Sequence, residues 1–216
     1  MTFRTVIFDL GGVYFSDGTR VAIDAIAAKY EVRRHAVTDI LNGESGKEYR
    51  IGKISTEQFW QQAITQWNIQ ASSEVLSRLW CSSYQPNERV VRLVDRLRNA
   101  GYELLYLSDN TRERVAYLDE RYSFLQKFDD GIFSHVVKHK KPDPIIYQLV
   151  LAKASHPANA CVYIDDKPDY LGPAKNLGME VIVFKSASQL ETRLKELALL
   201  PDEAGPLYSE DVCTAD

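Results

Sequence analysis

The sequence predicts an α/β protein: a doubly wound, Rossmann-like parallel sheet into which an α-helical unit is inserted. Three observations carry this. Four short apolar runs, Phe3 to Phe8, Tyr102 to Leu107, Ala160 to Ile164 and Glu180 to Phe184, are nearly continuous where a half-exposed strand would alternate. That is the pattern of strands buried on both faces of a parallel sheet. Segments of helical period accompany the later runs, which gives the strand–helix alternation of an open α/β fold. The stretch from Ser16 to Tyr84 has helical period and no convincing strand.

Taken in order, the first run leads into that helical stretch. Val21, Ile23, Ile26 and Ala27 recur at helical spacing, as do Val37, Ile40 and Leu41. Phe59, Trp60, Ala63, Ile64 and Trp67 follow, then Val75, Leu76, Leu79 and Trp80, which makes about four amphipathic helices. Ser55-Thr56-Glu57-Gln58 ahead of Phe59 has the form of a capping box. Val90, Val91, Leu93, Val94 and Leu97 mark a helix that stops at Asn99-Ala100-Gly101. The second strand comes next. Pro144 suits the first turn of a helix carrying Ile145, Ile146, Leu149, Val150 and Leu151. After the third and fourth strands, Leu190, Leu194, Leu197 and Leu200 read as a last helix stopped by Pro201. Residues 201–216 hold five acidic side chains and no basic one, and are expected to form a frayed tail. The division expected is therefore an α/β core of residues 1–15 and 85–200, a helical insert of residues 16–84, and the tail.

Composition narrows the function. With 45% apolar and 26% charged residues the chain is of ordinary globular type. No stretch approaches the roughly 20 apolar residues of a membrane helix. The N-terminus, MTFRTVIFDLGG, carries Arg4 and Asp9 within a short apolar run, unlike a secretory leader, so a cytoplasmic protein is expected. A formal charge of -4 disfavours nucleic acid as a partner while leaving room for a local cationic pocket. Cys81, Cys161 and Cys213, an odd count without a Cys-x-x-Cys pair, suggest neither a disulfide framework nor a zinc site.

Ligands of an open α/β sheet bind beyond the carboxyl ends of its strands. Asp9-Leu10-Gly11-Gly12 follows the first run, Ser108-Asp109-Asn110-Thr111 the second, and Asp165-Asp166-Lys167-Pro168 the third. Lys140-Lys141-Pro142-Asp143-Pro144 lies between the last two. Carboxylates gathered at one sheet mouth repel one another unless a cation joins them, which suggests a hard metal such as Mg²⁺. Mg²⁺ keeps positions open for phosphate oxygens, and a nearby lysine can offset the remaining negative charge. The constellation reads as a phosphoryl-transfer site.

In order and spacing, VIFDLGGV, LYLSDNT, KKPDPIIY and YIDDKPDYLGPAKNLGM resemble the four motifs of the haloacid dehalogenase-like hydrolase superfamily. The resemblance covers Thr2 to about Leu200, and the insert resembles that family's small helical cap. It implies a Mg²⁺-dependent phosphatase acting on a small phosphorylated metabolite, with a sugar phosphate as a modest preference. By position, Asp9 would be the nucleophile. Asp9, the Gly11 carbonyl and Asp166 would hold Mg²⁺, with Asp165 behind them. Ser108 and the backbone at Asp109 would bind phosphate, and Lys141 would bridge nucleophile and phosphate.

Three positions depart from the family pattern. Gly11 replaces the aspartate that usually serves as general acid and base, a loss commonly costing about 10² to 10⁴-fold. Asp109 stands where Asn is usual, and Tyr170 where Asn or Asp is common. Two alternatives follow: a metal-independent dehalogenase, which also lacks that second aspartate, and a catalytically weakened binding protein. In the insert, Arg20, Lys47, Tyr49 and Arg50 are polar candidates for substrate contact that equally suit a solvated surface. Trp60, Trp67 and Trp80 fall at core positions.

Overall fold

A computed structural model describes residues 2–201. The expected acidic tail and Cys213 lie outside these residues. One parallel sheet is built from β1 (Thr5–Phe8), β2 (Glu103–Ser108), β3 (Asp130–Phe133), β4 (Cys161–Asp165) and β5 (Glu180–Val183), in the order β3-β2-β1-β4-β5. Four strands are the predicted ones. The additional strand, β3, escaped prediction because Asp130-Gly131 leaves only Ile132 and Phe133 as apolar signal; pairing with Leu105 to Ser108 of β2 makes it a strand. β1 lies at the centre, paired on both sides, and all four of its residues are buried. Val6 and Phe8 face one apolar cluster and Ile7 the other, as the period of two along a strand requires.

Between β1 and β2 lie α1 (Gly18–Tyr30), α2 (Arg34–Asn42), α3 (Glu44–Arg50), α4 (Thr56–Trp67), α5 (Ser73–Ser82) and α6 (Glu88–Asn99). The insert thus has five helices where about four were expected. The unforeseen one, α3, has the polar sequence ESGKEYR with a central glycine. Tertiary contacts hold it: Tyr49 stacks on Phe59 with ring centres 4.4 Å apart, and Arg50 Nη1 donates to the Leu41 and Gly46 carbonyls at 2.8 and 3.0 Å. The capping box at Ser55 and Gln58 forms as predicted. Trp60, Trp67 and Trp80 are core residues, and the cluster they join continues to the Val6/Phe8 face of the sheet.

The remaining helices are α7 (Arg112–Tyr122), α8 (Ser134–Val137), α9 (Pro144–Lys153), α10 (Leu171–Asn176) and α11 (Ala187–Glu196). Pro144 opens α9 and Gly101, at φ +83°, follows the end of α6, both as expected. The last helix stops short of the predicted Leu200. Ala198 adopts a left-handed φ of 57° and Leu199 N bonds back to the Leu194 carbonyl, so Leu199 and Leu200 reach the core from a turn. Among the described residues no helix is long and apolar enough to cross a membrane, and Cys81 and Cys161 are buried free thiols.

The chain leaves the sheet layer and returns to it side by side. Ser16 N donates to the Gln85 carbonyl at 2.8 Å, Asn87 N to the Tyr14 carbonyl at 2.8 Å, and Gln85 N to Ser16 Oγ at 3.1 Å.

Candidate active site

Strand order reverses around β1, so the crevice between the ends of β1 and β4 is the natural ligand position. Asp9 follows β1, its backbone N bonded to the Ile164 carbonyl at 2.8 Å; Asp165 ends β4 and Asp166 follows it. Lys141 comes from the loop before α9, which Asp143 caps by accepting from Ile145 N at 3.0 Å. Topology therefore brings together residues 132 positions apart, as the motif order requires.

Lys141 is 1% exposed and joins two carboxylates: its Nζ lies 2.8 Å from Asp9 Oδ1 and 2.6 Å from Asp165 Oδ2. It also donates to the Leu107 carbonyl at 3.2 Å. The Asp165 carboxylate is fully committed, accepting from the Tyr163 hydroxyl and, at 2.9 Å, from Lys167 N. Both Asp165 oxygens therefore already accept from protein donors. Burial pushes the Asp9 carboxyl up to about 7 even against the attraction of Lys141, with Asp165 and Asp166 adding repulsion. The Lys141 ammonium is held well above its ordinary value by Asp165 and Asp9, which outweigh its own burial.

One oxygen is left over. Asp166 Oδ1 is buried and has no hydrogen-bond partner, and burial with repulsion from Asp165 raises this carboxyl's pKa. Buried carboxylate oxygens are ordinarily satisfied. One oxygen each of Asp9, Asp165 and Asp166 lie within 4.8 Å of one another. A hard divalent cation would both satisfy Asp166 Oδ1 and offset the repulsion, so these residues fit such an ion. Gly12 permits the arrangement: its φ is +95°, and a Cβ there would come 2.6 Å from Asp166 Oδ2.

The departures have structural answers. Gly11 lines the cavity, and a Cβ on it would meet only the Tyr84 ring at 3.6 Å. Tyr84 therefore fills the space beside the missing acid. Asp109 Oδ1 accepts from Lys141 N at 3.1 Å and so tethers the lysine loop, while burial raises its carboxyl pKa. The Tyr170 ring lies 5.2 Å from Lys141 Nζ and 5.1 Å from Lys167 Nζ, a cation–π partner to both. Ser108 is buried at the end of β2, and Asp109 lines the cavity where Ser108 does not.

The cavity measures about 440 Å³ and extends from these carboxylates to the insert. Arg20, Lys47 and Arg50 line it, whereas Tyr49 is a core residue. Arg114, Tyr84 and Thr19 are lining residues that sequence reasoning did not single out. Arg114 carried a weak signal, standing one helical turn after Asn110, whose Oδ1 it binds. Tyr84 and Thr19 meet through their hydroxyls at 2.6 Å from opposite ends of the insert, and no local pattern announces that.

The family model "Hydrolase: haloacid dehalogenase-like hydrolase" matches residues 3–178. An uncharacterized Dictyostelium discoideum protein is 30% identical over 160 residues, 69% of this chain and 66% of that protein. A mouse protein, acyl-CoA dehydrogenase family member 10, is 29% identical over 92% of this chain, which spans only 19% of the mouse protein. A sesquiterpene phosphatase of Aspergillus oryzae is 26% identical, with 82% of this chain and 88% of that protein covered. Among solved structures, a haloacid dehalogenase-family enzyme from Bacteroides thetaiotaomicron in complex with magnesium and inorganic phosphate has a TM-score of 0.72 at 18% identity, covering 87% of this chain and 98% of the other.

Proposed function

The chain belongs to the haloacid dehalogenase-like hydrolases, and from that membership we propose that it is a Mg²⁺-dependent phosphatase of a small phosphorylated metabolite, working through an aspartyl-phosphate at Asp9. The observation that carries the reading is Lys141 Nζ set between Asp9 and Asp165 beside the unpartnered Asp166 oxygen. The phosphatase relative and the structural relative holding magnesium and phosphate support it.

An Asp9 oxygen attacks phosphorus, the bond to the leaving oxygen breaks, and water then hydrolyses the acyl phosphate, so that one hard displacement becomes two easier ones. Lys141 pulls the Asp9 carboxyl toward its ionised, nucleophilic form against the effect of burial and faces the charge that spreads over the transferring oxygens. Asp165 and the Asp109 tether hold Lys141 in place. Asp9, the Gly11 carbonyl and Asp166 would hold Mg²⁺, which supplies charge neutralisation for the phosphoryl oxygens when bound. The insert serves as the cap that covers the leaving group and excludes water. The deciding experiment is a panel of phosphorylated metabolites and p-nitrophenyl phosphate, assayed with Mg²⁺ and with EDTA. Equal rates for wild type and Asp9→Asn across the whole panel would defeat the proposal.

With glycine at 11, the leaving group departs without a carboxylic acid beside it. Gly11→Asp places its Cβ in ordinary contact with the Tyr84 ring, at 3.6 Å, without a clash. It is expected to raise turnover of alkyl phosphates by about 10-fold or more, toward the range of general acid catalysis, and that of p-nitrophenyl phosphate much less. Parallel changes on both substrate types in steady-state assays contradict the missing-acid account. Gly11 also favours a second reading, hydrolytic dehalogenation. Release of halide from 2-haloacids by purified protein in EDTA would establish that reading in place of phosphatase activity.

The crowded carboxylates also predict how metal removal acts. Asp9 has a folded-state pKa of about 7 against an ordinary value of 3.8. Between those values the folded state binds more protons than the unfolded state, so stability falls as pH rises through that window. Urea midpoints in EDTA should therefore decrease from pH 5 to pH 8, and Mg²⁺ should recover the loss at pH 8. A midpoint that rises with pH in EDTA, or ignores Mg²⁺ at pH 8, contradicts this.

A further inference from the structure

The insert side of the cavity is lined with cations for which the proposed reaction has no use. Eight Lys or Arg residues line the cavity against four Asp, in a chain whose formal charge is -4. Two of them stand on one aromatic ring. Arg114, on α7, is 2% exposed, and Arg50 closes α3. Their guanidinium carbons lie 4.6 and 5.3 Å from the Trp80 ring centre, so one indole supports both.

Every hydrogen-bond partner of this pair is neutral. Arg50 Nη1 donates to the two backbone carbonyls of α2 and α3; Arg114 donates through Nε to Asn110 Oδ1 and through Nη1 to the Tyr84 hydroxyl at 2.9 Å. Neither Arg forms an ion pair, and the Nη2 group of each makes no hydrogen bond, among the described residues. The cavity's nearby carboxylates are engaged elsewhere: Asp109 tethers Lys141, and Asp17 caps α1 by accepting from Arg20 N at 3.2 Å. Guanidinium groups withdrawn from water beside one another are unfavourable unless an anion joins them. Burial and repulsion from Arg114 lower the Arg50 pKa accordingly.

In the phosphatase reading, Lys141 and the Mg²⁺ ligands already account for the transferred phosphoryl group. We infer that Arg50 and Arg114 form a second anion subsite, so that the substrate is a phosphate ester whose leaving group carries another oxyanion, a carboxylate or a second phosphate. This rests on the phosphatase reading above. The chemistry suits it, because the planar guanidinium fork matches either oxyanion through paired hydrogen bonds. The indole and the neutral bonds hold the forks in place before substrate arrives, so little ordering accompanies binding.

The test compares matched substrates in wild type: 3-phosphoglycerate against glycerol 3-phosphate, and fructose 1,6-bisphosphate against fructose 6-phosphate, each with Mg²⁺. At least a 10-fold higher kcat/KM for the doubly anionic member of one pair is expected, and the pair that shows it tells carboxylate from phosphate. Arg50→Gln should reduce that ratio at least 5-fold, with Arg50→Lys intermediate. Should Arg50→Gln not fold, Arg50→Lys, which keeps the charge and loses the fork, must itself reduce the ratio. Calorimetry on Asp9→Asn, which binds without turnover, reads the same preferences as Kd. Ratios within 2-fold in both pairs overturn the subsite. So does a preference that a folded Arg50→Gln retains, since general attraction to a cationic cavity explains that result. If wild type turns over none of the four, the Kd ratios alone decide the subsite, and the wider panel decides the phosphatase reading separately.

Discussion

Asp9→Asn is expected to lower phosphate-ester turnover by at least about 10⁴-fold, the scale on which removal of a covalent nucleophile acts. Asn is nearly isosteric but a poor nucleophile, and it cannot form the acyl phosphate. The stability consequence has the opposite sign. Asp9 is a buried carboxyl pushed up to about 7, so its ionisation opposes folding at pH 8 when no metal is bound. An uncharged amide removes that cost. In EDTA at pH 8 the variant should unfold at a urea midpoint no lower than that of wild type, and the decline in midpoint from pH 5 to pH 8 should flatten. Activity loss accompanied by a large drop in stability at pH 8 would instead identify Asp9 as a structural partner of Lys141.

Lys141→Met has the second large effect, and here activity and stability fall together. The ammonium is 1% exposed and contacts the carboxylates of Asp9 and Asp165, at 8% and 0% side-chain exposure, so solvent screens little of the interaction. Removing one partner of a buried ionic cluster costs about 3–5 kcal/mol, on the order of 10 °C in Tm for a chain of this size. Without the lysine the Asp9 carboxyl, already raised by burial, favours protonation in the folded state still more. The penalty of ionising it is small near pH 5 and grows as pH rises through neutrality. Calorimetric scans at pH 5 and pH 8 check this: a deficit that does not grow with pH would mean that lost packing, not lost charge compensation, is responsible. Turnover at pH 8 should fall by at least about 10³-fold, because the charge facing the transferring phosphoryl group is gone.

How much of this was legible in the sequence depends on whether the signal was local. The apolar runs and helix stops are local, and they located four strands, the insert and the Pro144 start. Motif order located Asp9, Lys141, Asp165 and Asp166, which the fold brings to one crevice. What escaped was tertiary. β3 is a strand through its pairing with β2, and α3 is a helix through Tyr49 on Phe59 and Arg50 on its neighbours' carbonyls. The cationic wall was legible only in part: Arg20, Lys47 and Arg50 were candidates for substrate contact, whereas Arg114 and its pairing with Arg50 were not. Arg50 and Arg114 stand in helical segments that read as ordinary solvated charge, and only Trp80, from a third helix, brings them together.

The paired crossing at Ser16/Gln85 and Tyr14/Asn87 has an architectural consequence. Ser16 and Gln85 are hydrogen-bonded to each other, so residues 17–84 form a loop closed at its base, and above that base the two halves share one apolar cluster. The entropy of closing such a loop grows slowly with its length. A segment of different length can therefore be closed on the same two points at little extra entropic cost. The sheet half is in this sense a socket, and the helical segment is plugged into it at one rim.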